Sequence, residues 1–248
     1  MKRLQQQKGF TLVELAIVLT IIGLLIGGIL KGQQLIANAR VTAEMAQVQG
    51  ITAAVTTFND TYQGLPGDLT TATTRVPNCT AANNCGNGDG NGQVQNVGAN
   101  VAIAGGTTAL AATGVTATEE TVYFWTMLDG ANLISGSLAS GTSTAGGTIF
   151  PPGKVGGSLA AATGTDGYLY IESVLSAGAV GTQNTMTPGA AAQIDRKMDD
   201  GDPLTGSAFG NGLAGAAAAD CISAAAAPSV YDETNANKVC DMAFRINQ

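Results

Sequence analysis

The hydrophobic pattern of the chain changes character near residue 40. From Phe10 to Leu30 apolar residues follow one another with a single charge among them, Glu14. At about 1.5 Å per residue this run makes a helix of about 31 Å, which matches a bilayer hydrocarbon core of about 30 Å. From Val41 the pattern turns periodic. Val41, Met45, Val48, Ile51 or Thr52, Val55, Phe58 and Tyr62 recur every three or four residues, the spacing of one buried helical face. Glu44, Gln47, Gln49 and Asn59 fall between them and are expected on the wetted side. Together the two patterns predict one helix from Phe10 to Asp60, ended by Gly64 and Pro66. Its first half suits a membrane and its second half suits packing on a globular head.

Beyond the helix, Gly64-Leu65-Pro66-Gly67-Asp68 reads as a turn, and Cys79 to Gly92 as a loop rich in Asn and Gly. A second helical piece is predicted from Glu119 to Leu133, capped by Thr118. Short strands are predicted near Thr148 to Phe150, Tyr168 to Val174 and Lys238 to Ile246, pairing as an antiparallel sheet against the long helix. Segments 97–117, 136–147, 156–165 and 205–227 are dominated by Gly, Ala, Ser and Thr and read as surface loops, with Ala216 to Ala219 and Ala224 to Ala227 as candidate short helices. The predicted fold class is α+β: a long N-terminal helix, membrane-spanning in its first half, packed on a small antiparallel sheet.

Lys8-Gly9-Phe10-Thr11-Leu12-Val13-Glu14, set at the start of the apolar run, resembles the prepilin cleavage and methylation motif of type IV pilins and type II secretion pseudopilins. The resemblance implies that a prepilin peptidase cleaves between Gly9 and Phe10 and N-methylates Phe10. It implies that Glu14 neutralises the Phe10 amino group of a neighbouring subunit during assembly. An ordinary signal peptide differs, because its cleavage site follows the apolar region. On this reading residues 1–9 are a cytoplasmic leader, 10–30 a transmembrane and assembly helix, 31–62 its extension onto the head, and 63–248 a pilin-like head. Lys2, Arg3 and Lys8 before the span hold the leader in the cytoplasm, against Lys31 and Arg40 after it. Gly23 with Gly27, and Gly28 with Gly32, have the small-residue spacing that lets membrane helices approach closely. Many type IV pilins carry a proline where the helix leaves the bilayer; here Lys31 stands in that region and the first proline is Pro66.

Composition narrows the function. The chain carries a formal charge of −7, and loss of the three leader cations takes it to −10. That acidity disfavours nucleic acid, whose binding draws on basic patches. The chain contains no histidine, so Ser-His-Asp and Cys-His catalysis are excluded, and the sequence reads as a non-enzyme. Four cysteines in an exported segment allow three disulfide connectivities. Local pairing, Cys79 with Cys85 and Cys221 with Cys240, is favoured, since closing the latter loop removes on the order of 3 kcal/mol of unfolded-chain entropy.

Two loops carry candidate Ca²⁺ ligands, the cofactor the sequence raises. Asn87, Asp89 and Asn91 alternate with glycine as in the first half of a calcium loop, though Gly98 stands where a complete EF-hand has glutamate. Asp199, Asp200 and Asp202, with Asp195 nearby, converge in a turn-forming stretch where Arg196 and Lys197 offer an alternative offset of charge. Three roles follow from the resemblance: a structural subunit of a type IV pilus or similar filament, a type II secretion pseudopilin, or a minor pilin acting as adhesin or DNA-uptake module. The implied partners are copies of the chain and other pilins, the prepilin peptidase and an inner-membrane assembly platform. The implied location is the bacterial inner membrane before assembly, with the head outside the cytoplasm, and a surface filament afterwards.

Overall fold

A computed structural model describes residues 11–95, 119–135, 150–164, 166–174, 185–212, 221–222 and 229–246. The apolar run and the periodic stretch form one helix, α1, Leu12–Tyr62. It stops where Gln63 takes a left-handed φ of 54° ahead of the predicted turn. Gly67 in that turn has φ 94°, and a Cβ there would lie 2.7 Å from the Glu120 carbonyl oxygen, so glycine is required. The chain divides into two units, Met1–Ala39 and Arg40–Gln248.

Within the second unit, α1 buries Val41, Val48, Ile51, Ala54, Val55 and Phe58. Met45 and Tyr62 are half-buried. Glu44 departs from the sequence expectation: it is fully buried. The segment 151–155 lies over that side of the helix, and the Glu44 carboxylate accepts hydrogen bonds from the backbone N–H groups of Lys154 and of Val155, the latter at 2.9 Å. Gln47 Nε2 donates to the Pro152 carbonyl at 3.1 Å. The polar side chains anchor a loop that the periodicity of α1 alone does not reveal.

After a short helix α2, Ala72–Arg75, and a 3-10 turn at Ala81–Asn83, α3 runs Glu120–Gly130. Val122, Phe124, Trp125, Met127 and Leu128 on α3 are fully buried. They pack with Ile51, Val55 and Phe58 of α1 and with the strands in one apolar cluster. The four strands are β1, Ser158–Thr163; β2, Leu169–Val174; β3, Ala208–Gly212; and β4, Cys240–Ile246. All pair antiparallel in the order β1-β2-β4-β3. A second helix on the head, α4, spans Pro188–Met198. Ala191, Ala192 and Ile194 of α4 join Val41 and Val48 of α1 and Met242 and Phe244 of β4 in a second cluster. The fold is α+β, a long N-terminal apolar helix and a small antiparallel four-stranded sheet.

The predicted strands at Tyr168 to Val174 and Lys238 to Ile246 are β2 and β4. Three expectations need correction. Segment 156–165 contains β1, whose six residues are all buried; alanine fills both faces of this strand, so no alternation marks it. Segment 205–227 contains β3, whose Ala-Phe-Gly-Asn-Gly sequence has poor strand propensity. It is held by β4 and by Asp199, whose carboxylate accepts from the backbone N–H groups of Ser207 and of Ala208, the latter at 3.2 Å. Phe150 is buried outside any strand, with Thr148 and Ile149 outside the described residues, as are Thr118, Ala216 to Ala219 and Ala224 to Ala227.

Candidate functional site

The first unit starts with a reciprocal cap. Thr11 Oγ1 accepts from the Glu14 backbone N–H at 3.3 Å, while the Glu14 carboxylate accepts from the Thr11 N–H at 2.9 Å and the Thr11 hydroxyl at 2.8 Å. This Thr-x-x-Glu arrangement is a capping box, which satisfies donors left over at a helix start. Glu14 thus defines the beginning of α1 in the single chain. The spacing was present in the sequence, though hidden beneath the stronger signal of a charge in an apolar run. Gly9 and Phe10 lie outside the described residues.

From Leu12 to Ile36 every large apolar side chain of α1 is exposed, with Leu12 at 87% and Leu24 at 79%. Gly23, Gly27, Gly28 and Gly32 have no side chain or other segment within 4 Å of where a Cβ would stand. An apolar surface of this extent is unsuited to a monomer in water. Withdrawing each Leu or Ile from water gains roughly 1.5–3 kcal/mol. By length and composition α1 contains a segment able to cross a membrane.

In the second unit the cysteines form Cys79–Cys85 and Cys221–Cys240, with Cα separations of 5.0 and 5.2 Å. The first closes the loop around the 3-10 turn; the second ties Cys221 to the first residue of β4.

The candidate cation ligands sort differently in space than in sequence. Asp89 meets Asp68 and Glu120, each offering a carboxylate oxygen within 4.8 Å of the others. Asp68 accepts from the N–H groups of Gly90, Asn91 and Gly92 at 2.7, 3.0 and 2.8 Å. Glu120 accepts from Asp89 and Gln95 at 2.9 and 3.0 Å. Burial, the dominant influence, raises the pKa of both Asp68 and Glu120 despite these bonds. Asn87 is turned to Thr73, accepting from its N–H at 3.0 Å and hydroxyl at 3.1 Å. Asn91 Nδ2 donates to Asp89 at 2.8 Å, and its carbonyl accepts from the Gln93 N–H.

The second group gathers Asp195, Asp199 and Asp200 within the same 4.8 Å limit. Asp195 accepts from the Tyr231 hydroxyl at 2.8 Å and the Gly201 N–H at 3.2 Å. Burial pushes its carboxyl up to about 6. Asp200 accepts from the Thr205 hydroxyl at 2.7 Å, which lowers its pKa. Asp202 instead accepts from the Leu204 N–H at 3.1 Å and the Ser229 hydroxyl. Both groups present hard oxygen ligands of the type Ca²⁺ takes, and both close their own turns through backbone N–H groups. Asp68 and Glu120, distant in sequence from the Asn-Gly loop, were not legible as its partners.

Residues 4–30 match the family model described as the prokaryotic N-terminal methylation motif. The chain therefore carries the signature of type IV pilins and pseudopilins. No curated protein and no solved structure matches the chain. The motif points to a structural subunit and implies processing by a prepilin peptidase and assembly with other pilins.

Proposed function

We propose that the chain is a structural subunit of a type IV pilus or pilin-like filament, cleaved after Gly9 and polymerised through α1. The observation that carries this reading is the joint one: a methylation motif over residues 4–30 opening a helix whose apolar side chains are exposed from Leu12 to Ile36. In the precursor that surface is covered by lipid; in the filament, by the same helix of other subunits. Glu14 pairs there with a neighbouring Phe10 ammonium created by the cleavage. Breaking such a buried pair from one side costs about 3–5 kcal/mol.

Glu14→Gln separates the two roles of Glu14. Glutamine at the third helical position still completes the Thr11 capping box, whereas it has no charge for the ammonium. The variant is expected to insert in the membrane and be cleaved normally, yet to yield few filaments by electron microscopy of sheared cell-surface material. Normal filament yield would defeat the proposed pairing. A deletion strain examined for surface filaments and for exoprotein release addresses the assembly itself: lost filaments support the pilus, and lost release alone supports a secretion pseudopilus.

A further inference from the structure

The head buries two carboxylates on one face of its sheet. Glu172 on β2 is directly opposite Ala243 on β4, and Asp241 lies two residues before Ala243, so its side chain shares that face. The two are diagonal cross-strand neighbours, within reach of one another. Glu172 is 0% exposed and Asp241 2%. Two adjacent carboxylates taken out of water cannot both stay charged unless something offsets them.

Among the described residues no ion pair reaches Asp241. On the same face β2 contributes Tyr170, whose hydroxyl donates to Asp166 at 2.6 Å. On β4, Arg245 holds its guanidinium 3.3 Å over the Tyr168 ring, towards the opposite end of β2 from Asp241. β1 and β3 contain no titratable side chain. Thr185 donates its N–H to Asp241 at 3.3 Å, and its hydroxyl meets Ser173 and the Cys240 carbonyl at 3.0 and 3.2 Å. Lys238, exposed in the loop before β4, has its Nζ beside Gly156. Three buried or half-buried acids of the helices are engaged elsewhere: Glu44 of α1 with Lys154 and Val155, Glu120 of α3 with Asp89 and Gln95, and Asp195 of α4 with Tyr231. The head segments outside the described residues contain no Lys, Arg or His. They can donate hydrogen bonds but no countercharge. Burial, and then the Glu172 charge, push Asp241 up to about 9.

We propose that Glu172 and Asp241 form a buried proton-binding site, in which one proton held by the pair at neutral pH secures β4 against β2 beside the Cys221–Cys240 disulfide. The sign follows from linkage. A carboxyl whose folded pKa is raised contributes stability that is complete below its unfolded value and is lost as pH rises through the folded value. Alkaline pH therefore loosens the end of β4 that carries Cys240.

The test is thermal unfolding of the full-length chain in detergent micelles from about pH 5 to about pH 10, for wild type, Asp241→Asn and Glu172→Gln. The wild-type Tm is expected to fall by several degrees as pH rises from about 5 towards about 9, and each variant to flatten that fall. Should the variants fail to fold, the ¹³C carboxyl resonances of the wild-type pair provide the second measurement, with one expected to titrate above about pH 7. Two carboxyls titrating in the ordinary acid range, or an unchanged slope in folded variants, would overturn the proposal. Stabilisation of wild type but not of Asp241→Asn by added Ca²⁺ would also overturn it, because a metal ion would then occupy the pair.

Discussion

Asp195 shows how one side chain ties together parts of the head that are far apart in sequence. It leaves α4 to accept from Tyr231, which lies inside the Cys221–Cys240 loop, and from Gly201 in the turn beyond the helix. Its burial raises its pKa to about 6, so its protonated form favours the fold. Stability from this group is complete below about pH 4, the ordinary carboxylate value, and is lost as pH rises through about 6. Asparagine can keep both contacts, its carbonyl accepting from Gly201 and its amide donating to a rotated Tyr231 hydroxyl. Asp195→Asn is therefore expected to flatten the Tm profile across the mildly acid range and to be at least as stable as wild type at neutral pH, in calorimetry of the purified chain. A variant less stable at neutral pH with an unaltered profile would show that the carboxylate is needed charged. Glu44 has the same sign, raised chiefly by burial, but its oxygen closes two backbone N–H groups of a loop. Glu44→Ala orphans both, at about 1–3 kcal/mol for each buried donor left unsatisfied, while Glu44→Gln retains an acceptor and should lose less in urea unfolding.

At the scale of elements, what was legible depended on side-chain size. α1 announces itself because Val41, Val48, Ile51, Val55 and Phe58 are large and regularly spaced. β2 is readable in Tyr168-Leu169-Tyr170-Ile171 for the same reason. β1 and β3 are not, since alanine and glycine occupy inner and outer faces alike and remove the contrast between them; their place is settled by pairing with β2 and β4. α4 is a different kind of miss. Thr187-Pro188 is an N-cap followed by proline at the first helical position, but the following Gly-Ala-Ala-Ala has too weak an apolar stripe to attract notice. The cap makes a definite contribution: Thr187 Oγ1 accepts from the Ala190 N–H at 3.4 Å. Thr187→Ala should lower unfolding stability by about 1 kcal/mol, read as a shift in urea midpoint with unchanged slope. A bond this long predicts a loss no larger than that, and Thr187→Ser should restore most of it.

For the whole molecule, the division of apolar exposure is sharper than any other property. The large apolar residues of α1 that face solvent end at Ile36, and beyond Arg40 the exposed large apolar side chains among the described residues are Tyr168 and Val230. The boundary between the two units falls between these, at Ala39 and Arg40. The N-terminal motif was readable because its chemistry is local: a cleavage site, a carboxylate and an apolar run all lie within one stretch of chain. The buried carboxylates of the head were not, because Glu172 meets Asp241 only through strand register. The separation has a direct consequence for solution behaviour. A chain beginning at Arg40 keeps Val41, Val48, Ile51, Val55 and Phe58 to complete both apolar clusters, together with both disulfides. What it loses is the surface that needs lipid or another copy of α1. Exported to an oxidising compartment, this fragment is expected to be a folded monomer in detergent-free buffer by sedimentation, whereas the full chain requires detergent or associates. Association of the fragment at micromolar concentration would locate an assembly surface on the head itself, and a fragment that fails to fold would show that α1 before Arg40 contributes to the stability of the head.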